Sequence, residues 1–535
     1  MLPRPLLFLG VLLLLPAGVS AGERIAARRI RAHVKFLAGD LLEGRAPGTR
    51  GGRLATEYIA TQFALAGAGP AGDDGTYFQR VPLAGVRTEP GVKLTAKGNG
   101  STAEFTWFDE FVGATGRQSP EVAFRGEVVF AGHGITAPEF GWDDYAGADV
   151  TGKVVIAFTN EPPSTDAAFF GGKALTYYGR WSYKYEEALR RGAAAVLLIH
   201  TDETAGYGWS VVQSSWGRER IQPPLAADQR ALAFAGWLSR EAGEKLLSLG
   251  GRTVDELLAA ANAKGFRAVP LGVRIEGIIP SAARRIKTRN VVARVEGSDP
   301  KLRDQAVLYS AHWDHLGIGA PVAGDRIYNG AIDNATGVAV LLEIARAWAA
   351  LEKRPRRSAL FVAVTAEESG LLGSRYYAAH PVVPPALTAA ALNLDSFAPL
   401  GLPVAVSLNG AERTTLMPQA RDAARRFGLQ LLPPRRTGSG SYFRSDHFAF
   451  ARVGIPACSI SMAGGYAGKS EEWIKQMRAR NGYHQPSDEF RKGWDFSGLA
   501  LIGEYGFLFG RMIADLDSLP TWLPGDPYRK LRAQQ

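Results

Sequence analysis

Cysteine is almost missing from this sequence: 535 residues include one, Cys458. A single thiol closes no intramolecular disulfide and builds no thiolate metal cage. Histidine is scarce as well, with eight residues. Any metal site must therefore use imidazole and carboxylate from a short set of candidates. The chain has no internal repeat and no low-complexity tract. Charge of one sign is not in strong excess: Lys+Arg total 62 and Asp+Glu 52, a net charge of +10. Over this length the excess is mild and indicates no nucleic-acid partner. The basic clusters Arg284-Arg285, Arg354–Arg357 and Arg435-Arg436 carry no stacking platform and read as solvated surface. At 46% hydrophobic and 21% charged, the composition excludes a disordered or fibrous chain.

Residues 1–21 read as an export leader. Arg4 precedes the apolar run Leu6 to Leu15, Pro16 breaks it, and Val19-Ser20-Ala21 supplies small residues for cleavage. The run falls short of the ~20 apolar residues that span a bilayer. The expectation is a mature chain starting near Gly22, periplasmic or secreted, with no stable membrane insertion after leader removal. A large core needs no disulfide in such a compartment.

At ~150 residues per domain the length allows three or four domains in series, or one large domain with an insertion. The pattern favours the second. Residues 22–120 begin helical, with Leu54, Tyr58, Ile59 and Phe63 at helical spacing. Residues 121–275 change to short β-rich runs, with a helix over Tyr185–Arg191 leading into the apolar strand Ala194–Ile199, which predicts an inserted β-rich α/β domain. From 276 to 518 apolar strands alternate with helical stripes, which predicts a mostly parallel central sheet with helices on both faces. Residues 519–535 read as a C-terminal tail.

The polar clusters fall at predicted strand ends. His312-Trp313-Asp314 follows the strand 306–311, Glu367-Glu368 the strand 358–365, and Asp395 the strand 389–394. Asp333 precedes a helix, and Tyr483-His484 lies in a loop before the last helix. In open α/β sheets the ligand crevice lies at the carboxyl ends of the strands, so these residues can converge. Two ions need about five ligands when one carboxylate bridges, and His312, Asp333, Glu368, Asp395 and His484 meet that count. Imidazole and carboxylate suit zinc, with manganese or cobalt as substitutes. A bridging hydroxide would need a proton acceptor, and Glu367 is the candidate. Asp314 is placed to accept the second ring proton of His312.

At these residues the chain resembles metallopeptidase family 28, the co-catalytic di-zinc aminopeptidases. The matching pieces are His312-Trp-Asp314, Gly330-Ala-Ile-Asp333-Asn334-Ala-Thr-Gly337, Glu367-Glu368-Ser-Gly, Asn393-Leu-Asp395-Ser396 and Tyr483-His484, with Ser445-Asp446-His447 and the early Leu42-Glu43-Gly44-Arg45. The resemblance implies two zinc ions on the five ligands with Asp333 bridging, Glu367 as general base, Asp314 orienting His312, and Tyr483 bonding the tetrahedral intermediate. It implies a cis peptide at Asp333–Asn334. It also implies that 121–275 is a protease-associated domain, marked by Phe130-Ala-Gly132 and Gly152-Lys153-Val-Val155. The implied activity is release of N-terminal residues from peptide substrates, by a monomer or a dimer. Three other readings share the core: a carboxypeptidase, for which Arg435, Arg436 and Arg444 are candidate cations, a single-zinc glutaminyl cyclase, and a non-catalytic receptor-like protein.

Overall fold

The computed structural model describes residues 25–434 and 440–533. The leader expected at 1–21 and the pair Arg435-Arg436 lie outside the described residues.

Two sheets share one strand. Val269–Val295 runs for 27 residues, and its two halves belong to different sheets. Residues 281–291 pair antiparallel with Phe78–Thr88, and 291–295 pair antiparallel with Ser358–Val364. From there the main sheet continues through Ala306–His312, Thr388–Leu394 and Ala457–Tyr466, each parallel to its neighbour. Pro403–Asn409 follows antiparallel, with the short strand Gln430–Leu432 at the edge beyond it. The sheet is thus parallel at its centre and antiparallel on both flanks. Ala306–His312, Ser358–Val364 and Thr388–Leu394 are buried along their whole length, as expected of parallel strands covered on both faces.

Side-chain alternation distributes those strands between two cores. Val307, Tyr309 and Ala311 pack with the helices Ala27–Leu37, Arg50–Ala66, Thr336–Ala349 and Ser497–Ala514. Ala306 and Leu308 face the opposite way, toward Tyr377, Phe448 and Phe450. Helices cover both faces, as the strand–helix alternation predicts. Cys458 is fully buried in Ala457–Tyr466.

The first half of the shared strand belongs to the second sheet. Residues 274–278 pair with Lys93–Gly98 on one side and Glu121–Phe130 on the other. Val154–Phe158, Ala195–Ile199 and Phe234–Leu238 follow in parallel, and Phe111–Ala114 forms an antiparallel edge. This lobe has its own core, built around Phe124, Phe130, Ile156, Leu197 and Ile275.

Three expectations need correction. The second sheet begins at Lys93 rather than at 121: 93–98 forms a hairpin with Ser101–Glu104 that docks on 274–278, and 111–114 pairs with Phe234–Leu238, so the membership of both is decided by partners far downstream. The described part of the C-terminal tail, 519–533, packs on the main fold: Trp522 is buried and its Nε1 donates to the Gly454 carbonyl at 2.9 Å. Arg357 is not solvated surface. It is buried, with Nε donating to Gln305 at 2.7 Å and Nη1 to the Ala514 and Leu516 carbonyls.

Candidate metal centre in the interlobe cleft

The parallel strands present their polar residues at one edge. His312 is the last residue of Ala306–His312, Glu367 and Glu368 follow Ser358–Val364, and Asp395 follows Thr388–Leu394. Asp333 sits just before Thr336–Ala349, and the Asp333–Asn334 peptide is cis. His484 comes from the loop before Ser497–Ala514.

All five ligand candidates converge. Asp333 lies between the two histidines: its Oδ1 is 3.1 Å from His312 Nε2 and its Oδ2 is 3.4 Å from His484 Nε2. Asp395 Oδ1 is 3.5 Å from His312 Nε2, and Glu368 Oε2 is 2.9 Å from His484 Nε2. His312, Asp333 and Glu368 each offer an atom within 4.8 Å of the others. Glu367 Oε2 is 4.0 Å from His312 Nε2.

The surroundings orient this set. Asp314 acts differently from the expectation. His312 Nδ1 approaches the Asp314 main-chain carbonyl at 3.1 Å, while the carboxylate is 3.9 Å away. That carboxylate instead accepts the Glu367 backbone N–H at 3.1 Å. The short turn from His312 to Asp314 brings the carbonyl closer to the ring than the side chain. Asp488 accepts the backbone N–H groups of Ile332 and Asp333, and Ser445 donates to Asp395 Oδ2. His315 Nδ1 lies 2.7 Å from Glu368 Oε1, beside the ligands rather than between them. Arg45 spreads its guanidinium over the Trp313, Leu37, Asn329 and Gly330 carbonyls.

Sequence reasoning missed Ser215. It comes from the second lobe, and its Oγ is 3.0 Å from His484 Nδ1. The other ring nitrogen of each histidine, Nε2, is buried and crowded by carboxylate oxygens without an aligned hydrogen bond, as is Glu368 Oε1 against His315 Nδ1. Buried polar atoms are almost always partnered. Imidazole nitrogens crowded by three carboxylates without aligned hydrogen bonds fit a divalent cation of the zinc type. The electrostatics agree. Burial alone would lower the His484 pKa, but the Glu368 and Asp333 charges raise it to about 9. Burial pushes the Glu367 carboxyl well above the usual carboxylate range, against the pull of His312.

The centre opens into a cleft of about 660 Å³ between the lobes. Asp333, Glu367, Glu368, Asp395 and His484 face it from one side, and Tyr177, Trp181, Tyr207 and Trp216 from the other. The aromatic stretch 177–185 therefore contributes to the cleft wall. Tyr483 stands at the mouth. It is 47% exposed, its ring stacks on His484 at 3.8 Å, and its hydroxyl accepts from Arg444 Nη2 at 3.3 Å.

Comparison with known proteins places this arrangement. The chain is 34% identical over 120 residues to a probable zinc metalloprotease of Pyricularia oryzae, covering 22% of this chain and 23% of that protein. It is 34% identical over 110 residues to aminopeptidase NAALADL1 of Rattus norvegicus, covering 20% and 13%. The matches thus span less than a quarter of these curated relatives. The structure of an aminopeptidase from Aneurinibacillus sp. strain AM-1 shares the fold, with a TM-score of 0.55 at 19% identity over 94% of this chain and 98% of that one. Residues 290–505 match the model of peptidase family M28. That segment contains all five ligand candidates together with Asp314, Glu367 and Tyr483, so the resemblance to peptidase family M28 covers the whole candidate centre.

Proposed function

We propose that the chain is an exported zinc-dependent exopeptidase that releases N-terminal residues from peptides. The observation that carries this reading is Asp333 set between two imidazole–carboxylate groups, His312 with Asp395 and His484 with Glu368. These residues would hold two ions, with Asp333 shared. Such a pair, when bound, polarises a carbonyl and makes water acidic enough to attack it.

The chain's own groups do the rest. Glu367 accepts the proton of the attacking water at its side-chain oxygen and returns it to the leaving amine. Its raised proton affinity suits that shuttle. The Asp314 carboxylate fixes the Glu367 backbone, and its carbonyl fixes the His312 ring. The Tyr483 hydroxyl, at the cleft mouth, donates to the developing oxyanion. The aromatic wall of the second lobe, read here as a protease-associated domain, narrows access to this point and excludes water around the peptide.

The deciding experiment measures metal content and peptide hydrolysis on one sample. The expected result is two zinc equivalents per chain and hydrolysis of free-amine peptides but not of N-acetylated ones. Release of C-terminal residues from N-acetylated peptides would make the protein a carboxypeptidase. One metal equivalent with cyclisation of N-terminal glutamine would make it a glutaminyl cyclase. Failure to bind any divalent metal would leave a non-catalytic protein. Among the described residues no helix is long and apolar enough to cross a membrane. Export is tested by N-terminal sequencing of the protein recovered outside the cytoplasm, with Gly22 as the expected first residue.

A further inference from the structure

The cleft has two chemically different parts. Aromatic rings gather in one: Phe443 and Phe448 lie 6.1 and 5.2 Å from Tyr177 of the second lobe. The part beside Asp395 is polar, lined by Ser396, Asn409, Ser441, Ser459 and Ser461. The sheet register brings these residues together. Asn393 and Leu394 pair in parallel with Ser459 and Ile460, so one step further on Ser461 comes level with Asp395. Ser459 and Ser461 stand two apart on one strand and point to the same face. On the other side of that strand Asn409 is the antiparallel partner of Ser459, and its Nδ2 donates to Ser441 Oγ at 3.3 Å. The Ser396 hydroxyl donates to Asp395 Oδ1 at 2.9 Å.

Two of these hydroxyls are idle. Both Ser459 and Ser461 face the cleft, and among the described residues neither side chain has a hydrogen-bond partner. Ser459 is only 7% exposed, and a polar group buried to that extent is ordinarily partnered. Its unused hydroxyl is therefore set toward whatever enters the cleft. The nearby Arg444 is turned to the Tyr483 hydroxyl and the Tyr207 ring, which leaves the patch uncharged beyond Asp395. Its position relative to a peptide follows from the centre. Tyr483 stacks on His484 at the cleft mouth, whereas Asp395 pairs with His312. A peptide that leaves through the mouth places its first residue on the Asp395 side.

We propose that Ser459, Ser461 and Asn409 form the subsite for the side chain of the released N-terminal residue, and that this subsite selects uncharged polar side chains, those of serine, threonine, asparagine and glutamine, over aliphatic ones of the same shape. An aliphatic side chain strips water from the idle hydroxyls and returns no hydrogen bond. A hydroxyl or amide in the same place satisfies them, since a serine hydroxyl both donates and accepts. This inference rests on the peptidase reading above.

The test compares kcat/KM on metal-loaded protein for two substrate pairs matched in shape, Thr-Ala-amide against Val-Ala-amide and Gln-Ala-amide against Met-Ala-amide. The polar member of each pair should be preferred by about tenfold, the size of one hydrogen bond gained or left unmade. The double variant Ser459→Ala, Ser461→Ala should bring both ratios close to one. A second comparison holds the shape of the protein constant: Ser461→Thr keeps a hydroxyl and should retain the preference, and the isosteric Ser461→Val should lose most of it. Ratios near one, or in favour of the aliphatic member, for the unaltered protein overturn the subsite and leave the peptidase reading intact. So do ratios unchanged in the double variant, or equal in Ser461→Thr and Ser461→Val. No hydrolysis of any of the four peptides overturns the peptidase reading and the subsite together.

Discussion

Glu367 is the residue whose removal separates binding from chemistry. Its Oε2 lies 4.0 Å from His312 Nε2. Glu367→Gln keeps the shape and removes the base. Turnover should fall by about 10²–10⁴-fold while metal content, measured by mass spectrometry, stays at the unaltered level. Near-full activity would remove Glu367 from the mechanism. Arg45 makes a structural counterpart. Its fork serves carbonyls on both sides of the site, including Trp313 and Gly330, which flank the stretches that carry His312 and Asp333. Arg45→Met leaves those carbonyls buried without donors. A loss of roughly 3–5 kcal/mol is expected, seen as a lowered thermal midpoint even before activity is assayed. At this scale the sequence was informative: His312, Asp333, Glu368, Asp395 and His484 stand in ordered motifs, and all five converge. Asp314 shows the limit. Its presence beside His312 was visible, but which of its oxygens meets the ring depends on a turn geometry that spacing does not encode.

Among elements, the helix Trp209–Trp216 does something no motif announced. It belongs to the second lobe, yet Ser215 near its end reaches His484 Nδ1 at 3.0 Å. A partner on the far ring nitrogen fixes the orientation of a ligating histidine, and removing such partners typically weakens metal binding by about 10–100-fold. Ser215→Ala should therefore lower metal affinity by that order in a competitive chelator titration, with the fold intact by circular dichroism. Unchanged affinity would show that the contact is incidental. The elements of the main sheet were legible because their strands are unbroken apolar runs between helical stripes. The edge strands of the second sheet were not. Phe111–Ala114 is four residues long and pairs with Phe234–Leu238, so its membership is decided by a partner that no local window contains.

For the whole molecule, acid sensitivity is set by groups that the fold buries in neutral form. His447 is fully buried, packs edge-on to Tyr442 at 4.9 Å, and has no hydrogen-bond partner on either ring nitrogen. Burial lowers its pKa to about 3. The unfolded chain, with an ordinary value near 6.5, binds a proton there that the folded chain does not. Stability is therefore full above about pH 6.5 and declines as pH falls toward 3. Between pH 7.5 and 5 this group alone should cost about 2 kcal/mol. The midpoint of urea unfolding should fall less on acidification in His447→Leu than in the unaltered chain; equal falls would assign the sensitivity elsewhere.

The strand Val269–Val295 also sets an order of events. Phe78–Thr88 finds its long ladder partner at 281–291, and Lys93–Gly98, a hairpin with Ser101–Glu104, gains its second neighbour at 274–278. At about 5–20 residues per second on the ribosome, both early strands emerge on the order of ten seconds or more before the segment that pairs with them. Neither sheet can be completed until this one stretch arrives. When it does, it joins the early strands of both sheets, while the parallel strands of the main sheet and the ligands from His312 onward are still to be made.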